Sequence, residues 1–340
     1  MNKILILGFG VASTAYISLL DHNKKKVSVL GTPFDLKKIS SLNASHIKKD
    51  KKSGLVFSNN VKFYNNVEEI IKSKYSLVVV GVNSNGILWA SQQLRLLKPI
   101  CPILILTKGL FKSKNKIYKL SDFFKQKNKL TKIVYAAGPC LAGELINKTH
   151  TRTVLASNSI TNAKYVKKIL QNDYYHPDIT ADIAGAEICS ATKNIYATII
   201  GSSVGQSNKY LSKKDKEKNY FNAASALFEQ SIREMNIIVK KFKGQTSTVL
   251  GPAGTGDLYV SALGGRNSKM GSFLGSGFLY KNIIKSQMKN ITVEGAELML
   301  DVGSLLLKTV GKKNLPLASL LLSSLKNNKK LKIDWKKFSN

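Results

Sequence analysis

Short, continuous apolar runs recur along the first half of the chain, separated by turns and by stretches with helical spacing. Residues 4–7 are a short apolar run that stops at Gly8-Phe9-Gly10, residues 15–20 have helical spacing, and residues 26–30 are a second run. The other short runs, rich in β-branched residues, are residues 77–82, 103–106, 133–136 and 152–156. Such runs are typical of parallel strands that helices cover on both faces. The pattern predicts a doubly wound α/β sheet.

The second half of the chain has a different pattern. Residues 186–204 are a long stretch rich in Ala and Ile, and residues 223–241 and 294–310 have helical spacing. These stretches predict an all-helical part that follows the α/β sheet. A chain of 340 residues with 43% hydrophobic content is also too long for one ordinary core, so we expect two domains.

Charge is the most unusual feature of the composition. A formal net charge of +33 raises the question of a nucleic-acid or anionic-membrane partner. Nearly all the basic residues are lysine, and arginine occurs only at positions 95, 152, 233 and 266. Because a nucleic-acid groove favours arginine and no nucleic-acid motif is present, we interpret the lysines as solvated surface and expect no specific nucleic-acid partner.

The cysteines and histidines do not form a recognisable site. Cys101, Cys140 and Cys189 are widely spaced and lack a C-x-x-C pairing, which argues against a disulfide framework and against zinc. The histidines have no metal-ligand spacing, so no metal site is predicted. No apolar stretch reaches the length of a transmembrane segment. We therefore expect a cytoplasmic protein.

The glycine-rich turn after the first strand is the first candidate site. Gly8-Phe9-Gly10-Val11-Ala12-Ser13 leads from a strand into a helix, where backbone N–H groups of a Rossmann turn meet a pyrophosphate. Ser13 stands where the third small residue of the motif belongs. The turn is also simply good turn chemistry, so the motif alone is weak. We predict that residues 1–184 are an NAD(P)-binding Rossmann domain and residues 185–340 a helical substrate and catalytic domain.

The end of the second predicted strand should select the cofactor. An acidic residue there accepts a hydrogen bond from the ribose 2′-hydroxyl of NAD, whereas a basic residue pairs with the 2′-phosphate of NADP. The sequence reads Leu30-Gly31-Thr32-Pro33, with neither charge. Thr32 can bond to either group. Lys37 and Lys38 nearby slightly favour NADPH, and the choice stays open.

Lys193 is the candidate proton-transferring residue. It lies in a largely apolar helical stretch in which Glu187 is the only other charged residue, and a charged group there needs a partner or a function. A desolvated lysine releases its proton more readily, which suits it to protonate a forming alkoxide. The alternative is a lysine that reaches the helix surface, and the spacing alone leaves both open.

Two further segments offer charged groups in glycine-flanked turns. Asp257 can supply the countercharge that orients the Lys193 ammonium, although an acidic residue before a helical run is also a common helix cap. Arg266 and Asn267 offer a planar guanidinium and an amide from one turn, which together suit a phosphate. Their alternative is a surface loop.

Taken in order, these motifs resemble a known family. The motifs are the N-terminal glycine turn, Lys108-Gly109, Gly138-Pro139-x-x-Ala142-x-Glu144, Lys193-Asn194, Gly256-Asp257-Leu258, Gly264-Gly265-Arg266-Asn267 and Val293-Glu294-Gly295. Their order and spacing are similar to those of NAD(P)-dependent glycerol-3-phosphate dehydrogenases, from about residue 4 to about residue 310. The resemblance implies reversible reduction of dihydroxyacetone phosphate to sn-glycerol 3-phosphate, a step that feeds glycerophospholipid synthesis.

The resemblance also implies a role for each site residue. The implied catalytic residues are Lys193, Asp257 and Lys108. The implied substrate-binding residues are Lys108, Gly138, Cys140, Lys193, Asp257, Ser261, Gly265, Arg266 and Asn267. The implied cofactor-binding residues are Gly8, Gly10, Val11, Ala12, Ser13, Thr32, Lys108, Ala142, Arg266 and Glu294. The expected partner is a small phosphorylated substrate, and the apolar helical part makes a homodimer plausible.

Several positions depart from the pattern of the family. They are Ser13 for the third glycine, Thr32 for a basic residue, Asn83 for a proline, Cys140 for Ser or Asn, and Gly265 for a serine of bacterial members. Most of these positions concern the cofactor side. Two alternatives therefore remain: another 3-hydroxyacid or opine-type dehydrogenase of the same superfamily, and a catalytically weak NADP-binding sensor.

Overall fold

Strands form where short β-branched runs are bounded by turns, and they build one central sheet. A computed structural model of the chain describes residues 3–210 and 220–337. Residues 213–218 are rich in charge, and the sequence predicts that they are exposed; they lie outside the described residues. The strands of this sheet are β1 Lys3–Leu7, β2 Lys26–Leu30, β3 Val61–Tyr64, β4 Leu77–Val80, β5 Ile103–Ile105, β8 Ile133–Ala137, β9 Thr151–Ala156 and β10 Tyr175–Thr180; β6 Leu110–Ser113 and β7 Lys116–Lys119 form a separate hairpin. The doubly wound sheet predicted from the pattern is confirmed.

The strand order places a crevice next to β1. The order is β10-β9-β8-β5-β4-β1-β2-β3, and neighbouring strands are parallel except β8 and β9. From β1 the chain first builds outward to β2 and β3 and then returns to place β4 on the other side of β1. A reversal of this kind opens a crevice at the carboxyl ends of the strands, where α/β proteins bind their ligands.

Helices cover this sheet and bury its strands. They are α1 Val11–His22, α2 Leu36–Asn43, α3 Ile87–Leu97, α4 Leu120–Asn128, α5 Ala142–Ile146 and α6 Ile160–Leu170. Every residue of β4 is fully buried, as the continuous apolar run predicts. The aromatic ring of Phe9, in the turn after β1, packs on Phe63 with ring centroids 5.0 Å apart. The turn is thereby anchored to the core.

The chain divides into two compact units. The first comprises residues 1–108 and 120–183, and the second comprises residues 109–119 and 184–340. The β6–β7 hairpin belongs to the second unit although it lies within the first predicted domain, residues 1–184. The reason is its packing on helix α13, where the Lys112 ammonium donates to the Asp301 carbonyl oxygen at 3.0 Å.

The second unit is built from helices. They are α7 Ile183–Tyr210, α8 Phe221–Lys241, α9 Thr246–Leu250, α10 Asp257–Leu263, α11 Arg266–Gly275, α12 Tyr280–Lys285, α13 Glu294–Val310 and α14 Pro316–Lys326. None of the helices in residues 3–210 and 220–337 is long and apolar enough to cross a bilayer.

Small residues let two of these helices approach closely. A Cβ added to Gly201 of α7 would lie 2.3 Å from the Ser268 carbonyl oxygen, and one added to Gly271 of α11 would lie 1.9 Å from the Thr198 carbonyl oxygen. Such distances leave room for glycine alone. The Gly, Ser and Ala content of α7 therefore allows α11 to pack directly on its backbone, and this brings the start of α11 beside the middle of α7.

Candidate functional site

The glycine turn of the first unit is open at the start of helix α1. Gly8 has a φ of +94°, and a Cβ there would lie 2.8 Å from Cγ1 of Val82, so the turn requires glycine. Gly10, Val11 and Ala12 are exposed, and no described side chain caps the helix. The first N–H groups of α1 therefore face solvent beside the crevice of the sheet, in the geometry that binds a pyrophosphate.

Two departures from the family pattern have local structural explanations. The buried Ser13 hydroxyl donates to the Gly81 carbonyl oxygen at 2.9 Å, which satisfies the serine. A Cβ on Gly81 would lie 2.1 Å from that hydroxyl, so Ser13 and Gly81 fit each other. The Asn83 side chain accepts from the Gly86 N–H at 3.1 Å and caps the short 3₁₀ turn that precedes α3. Neither residue obstructs the turn.

An acidic residue that the sequence analysis did not select lies between β2 and this turn. Oδ2 of Asp35 accepts from the Thr32 N–H at 2.9 Å and from the Thr32 hydroxyl at 2.7 Å. It also accepts from the Phe9 N–H at 3.2 Å. Asp35 follows the end of β2 by five residues, which is too far for a rule that reads the strand end. Only the fold of the loop after β2 places the Asp35 carboxylate beside Thr32 and the glycine turn.

The predicted residues after β5 and β8 lie on two loops of the first unit. The ammonium of Lys108 is half-buried and lies 3.5 Å from the carbonyl oxygen of Gly138, whose φ is +102°. Cys140 and Ala142 are partly buried, and Ala142 begins α5. The Tyr135 hydroxyl donates to the Thr107 carbonyl oxygen at 3.1 Å and ties the two strand ends together. The structure therefore brings Lys108 and Gly138 together.

Lys193 is the centre of the site in the second unit. Only 7% of the residue is exposed, in the middle of α7. Its ammonium is hydrogen-bonded to the Asp257 carboxylate and donates to the Ser261 hydroxyl at 2.7 Å. Asp257 is 2% exposed, so this is a buried ion pair. The alternative of a lysine that reaches the surface is excluded for Lys193.

The local geometry explains why these three residues meet. A single π-helical turn, Pro252–Gly256, leads into α10, and Asp257 is the first residue of that helix. Ser261 follows four residues later, so both side chains lie on one face of α10. Asp257 is therefore not the helix cap that the sequence left open as an alternative. Its carboxylate is bound to the lysine of α7.

Arg266 begins helix α11 and lies at the surface. Gly265 precedes it with a φ of +93°, and a Cβ there would have open space around it, so the requirement is conformational. No side chain of the described residues caps α11, so its first N–H groups are available beside the guanidinium. Arg266 forms an exposed ion pair with Glu294, the first residue of α13. The turn offers a cation and backbone donors to an anion.

Asn267 holds the starts of two helices together. Its side-chain oxygen accepts from the Gly295 N–H at 2.9 Å, and Asn267 is 8% exposed. A Cβ on Gly295 would lie 2.2 Å from the carbonyl oxygen of Asn194, the neighbour of Lys193. The start of α13 is therefore packed against α7 at Gly295, and the Asn267 side chain of α11 is bonded to that same glycine. The surface-loop alternative is excluded for Asn267.

The sequence analysis missed a buried carboxylate, Glu234 of α8, whose partner Tyr196 lies one turn along α7 from Lys193. Tyr196 donates its hydroxyl proton to Glu234 at 3.1 Å, and Glu234 also accepts from the backbone N–H groups of Leu317 and Ala318. Burial raises the pKa of Glu234 to about 7, against the hydrogen bonds, which lower it. No local motif marks this residue, since its donors come from distant positions in the chain.

Together, the fold and the residues define a class. A glycine turn at the reversal point of a doubly wound sheet, and a separate helical unit with a buried lysine, are the parts of a nucleotide-dependent dehydrogenase. Family models agree: the N-terminal model of NAD-dependent glycerol-3-phosphate dehydrogenase matches residues 3–163, and the C-terminal model matches residues 182–334. The chain belongs to the NAD-dependent glycerol-3-phosphate dehydrogenase family.

Relatives with the same assignment cover most of the chain. The NADP(+)-dependent glycerol-3-phosphate dehydrogenase of Archaeoglobus fulgidus is 29% identical over 276 residues, which cover 81% of this chain and 80% of the relative. The glycerol-3-phosphate dehydrogenase [NAD(P)+] of Streptococcus agalactiae is 29% identical over 299 residues, which cover 86% of this chain and 83% of the relative.

Solved structures support the fold over the full length. The glycerol-3-phosphate dehydrogenase of Coxiella burnetii has a TM-score of 0.81 at 23% identity and covers 99% of this chain and 97% of its own. The glycerol-3-phosphate dehydrogenase of Saccharomyces cerevisiae has a TM-score of 0.83 at 18% identity, and the match covers 100% of this chain and 99% of the yeast chain.

Proposed function

We propose that the chain reversibly reduces dihydroxyacetone phosphate to sn-glycerol 3-phosphate with NADH or NADPH. The observation that carries the proposal is the buried Lys193 ammonium, bonded to the Asp257 carboxylate and to the Ser261 hydroxyl. A buried cation that is bonded to a carboxylate and to a hydroxyl is arranged to exchange a proton at a substrate oxygen. Family membership supports the same reaction.

The first unit fits a dinucleotide. The start of α1 has no side-chain cap, and Gly8 and Gly10 carry no side chains there. A pyrophosphate can therefore lie on the backbone N–H groups. When it is bound, the nicotinamide supplies or accepts the hydride. The residues assigned to this cofactor are Gly8, Gly10, Val11, Ala12, Ser13, Thr32, Lys108, Ala142, Arg266 and Glu294. Ser13 acts through packing, since its hydroxyl is bonded to Gly81.

Lys193 transfers the proton at the substrate oxygen. In the direction of reduction, negative charge grows on the carbonyl oxygen, and the ammonium both stabilises that charge and delivers the proton. Asp257 holds the ammonium in place, and Ser261 completes its hydrogen bonds. By resemblance to the family, Lys108 is assigned to the catalytic and substrate-binding residues as well; its ammonium lies 3.5 Å from the Gly138 carbonyl oxygen. The remaining substrate contacts assigned are Gly138 and Cys140.

The start of α11 binds the substrate phosphate. Arg266 is exposed, and its partner Glu294 is exposed too, so a phosphate can take the place of the carboxylate at low cost. The N–H groups that follow Gly265 add donors and the positive end of the helix dipole. Asn267, bonded to Gly295, fixes the turn. Anchoring the phosphate sets the position of the carbonyl group.

The proposal also covers the role of each domain, the oligomeric state and the cellular compartment. Residues 1–184 form the cofactor-binding domain, and residues 185–340 form the helical domain that carries Lys193, Asp257 and the turn at Arg266. The enzyme acts in the cytoplasm, as a homodimer, on a small phosphorylated substrate, and its product feeds glycerophospholipid synthesis. The three widely spaced cysteines, without a C-x-x-C pairing, are consistent with a reducing compartment.

Replacement of Lys193 tests the proposal. Lys193→Met should lower kcat with dihydroxyacetone phosphate by about 100-fold to 10,000-fold, the range that a general acid contributes. Binding of NADH should stay nearly unchanged. Lys240→Met, at an exposed position of α8, is the matched control and should leave kcat unaltered.

Two results would overturn the proposal. Wild-type turnover in Lys193→Met would show that another group transfers the proton. Turnover with 2-oxo or 3-oxo acids, and none with dihydroxyacetone phosphate, would assign the chain to another dehydrogenase of the superfamily. Both are read from the oxidation of NADH and NADPH.

A further inference from the structure

We infer that Asp35 selects the cofactor. Its carboxylate accepts a hydrogen bond from the adenosine ribose 2′-hydroxyl of NADH and excludes the 2′-phosphate of NADPH, while the adenine lies in the cavity beside the end of β2. The inference rests on the proposed binding of a dinucleotide at the glycine turn, and it names the form of that cofactor. It runs against the slight preference for NADPH that Lys37 and Lys38 suggest in the sequence.

The position of the carboxylate is the first observation. Oδ2 of Asp35 is bonded both to Thr32, two residues beyond β2, and to the Phe9 N–H within the glycine turn. In a dinucleotide site the adenosine ribose lies between these two segments, because the pyrophosphate is on the turn and the base is beyond β2. Asp35 therefore occupies the place of the acidic residue that normally ends this strand.

One oxygen of the carboxylate is available. All three hydrogen bonds to Asp35 go to Oδ2, which holds the group in one orientation. Within residues 3–210 and 220–337, Oδ1 has no hydrogen-bond partner, and the residue is only half-buried. An ionised carboxylate accepts hydrogen bonds and does not donate them, so Oδ1 suits a hydroxyl and repels a phosphate.

The nearby lysines do not offset this charge. The Lys38 ammonium lies 3.0 Å from Oδ1 of Asp50 and 3.6 Å from the centre of the Phe9 ring, so it already has a buried countercharge and an aromatic face. Lys37 is exposed on α2 and solvated. A 2′-phosphate would therefore meet a fixed carboxylate and one solvated lysine.

A cavity beside Asp35 fits the base. It has a volume of about 330 Å³ and is lined by residues at the end of β2, in the segment after β3 and on α3. Gly31 and Pro33, which flank Thr32, are among them. The lining includes Trp89, an aromatic residue on which a base can stack, and Asn65 and Asn66, which carry amide groups suited to the edge of the ring.

Binding of nucleotides that lack nicotinamide tests Asp35 apart from catalysis. We expect the full chain to bind ADP-ribose at least about tenfold more tightly than 2′-phospho-ADP-ribose, the ratio that one hydrogen bond to a charged group supports. Asp35→Asn keeps a side-chain oxygen for Thr32 and Phe9 but removes the charge. In this variant the ratio of the two Kd values, measured by titration calorimetry, should fall to about one or reverse.

A matched variant separates this effect from a general loss of charge. Asp21→Asn removes an exposed carboxylate near the other end of α1, where it is bonded to Ser58, and should leave the Kd ratio unchanged. Equal or tighter binding of 2′-phospho-ADP-ribose by the wild-type chain would overturn the inference. So would an unaltered ratio in Asp35→Asn.

The two tryptophans of the chain test the place of the base. ADP-ribose should quench the fluorescence of Trp89, so the quenching should persist in Trp335→Phe and disappear in Trp89→Phe. Quenching that persists in Trp89→Phe would place the base elsewhere and overturn that part. These binding measurements do not depend on turnover. If the wild-type chain did not reduce dihydroxyacetone phosphate but bound ADP-ribose more tightly than 2′-phospho-ADP-ribose as expected, only the proposed function would be contradicted.

Discussion

Two ion pairs of the helical unit, Lys193–Asp257 and Arg266–Glu294, differ in their surroundings. The side chains of Lys193 and Asp257 are 9% and 3% exposed, whereas those of Arg266 and Glu294 are 55% and 40% exposed. A buried pair has lost its water, so each partner depends on the other, whereas an exposed pair contributes little. Under the proposed function, the buried pair holds the proton donor Lys193 in place, and the exposed pair lets Arg266 exchange its carboxylate for a substrate anion.

The largest expected effect follows from removing the buried countercharge. Asp257→Asn should lower the free energy of unfolding by about 3 kcal/mol or more, because it removes the countercharge that Asp257 provides to a buried ammonium. It should also lower kcat by about 100-fold, since the proton donor loses its orientation. Urea unfolding and steady-state kinetics measure the two. Asp301→Asn, which loses an exposed partner of Lys112, is the control and should change neither. A normal kcat in Asp257→Asn would remove the basis of the comparison.

Removal of the exposed cation should alter binding and leave stability intact. Arg266→Ala should lower kcat/KM for dihydroxyacetone phosphate by about 100-fold, mainly through KM, because a charge-assisted contact to the phosphate is lost. The free energy of unfolding should change by less than about 1 kcal/mol. Arg233→Ala, which breaks the exposed pair with Glu229, is the matched control. An unchanged KM would show that the phosphate binds elsewhere.

A third carboxylate extends the comparison to burial without a cation. Glu234 accepts from neutral donors only among the contacts described for it, and burial raises its pKa from 4.5 to about 7. The folded protein therefore binds this proton more tightly than the unfolded chain. The resulting stability is present below pH 4.5 and is lost as the pH rises through 7, by about 2 to 3 kcal/mol.

Unfolding by urea at pH 5 and pH 8 measures this loss. Glu234→Gln should be less sensitive to pH than the wild type, whereas Glu229→Gln, exposed on the same helix, should behave as the wild type does. Identical pH dependence in the wild type and Glu234→Gln would contradict the raised pKa.

The smallest effect is expected on the acidic side of the exposed pair. Glu294→Gln should change the free energy of unfolding by less than about 0.5 kcal/mol, as is usual for surface ion pairs. Because the guanidinium is then free for the phosphate, KM for dihydroxyacetone phosphate should decrease, by no more than about threefold. If the free energy of unfolding of Glu294→Gln fell by several kcal/mol, the Arg266–Glu294 pair would be structural, as Lys193–Asp257 is.

Much of the first unit was accessible from sequence. The strands β1, β2, β4, β5, β8 and β9 were predicted from apolar runs and the helix α1 from its spacing; in the second unit, α8 and α13 were predicted from their spacing and α7 from its Ala-rich and Ile-rich composition. By contrast, β3 and β10 were not predicted: residues 61–64 alternate with a lysine, and residues 175–180 include His176, Pro177 and Asp178. Their polar residues hide the strand pattern, and pairing with β2 and β9 decides the structure.

The candidate site was also predictable only in part: short motifs were visible in the sequence, whereas contacts between residues far apart in the chain were not. The sequence by itself determined the glycine turn, the type of each candidate residue and the family, because motifs of a few residues carry that information in their order and spacing. Only the tertiary structure decided that the Lys193 ammonium meets Asp257 and Ser261, that Glu234 is buried against α14, and that Asp35 returns to the glycine turn. These contacts join positions between 26 and 83 residues apart, and burial and hydrogen-bond pairing at such separations arise from packing, which no local pattern encodes.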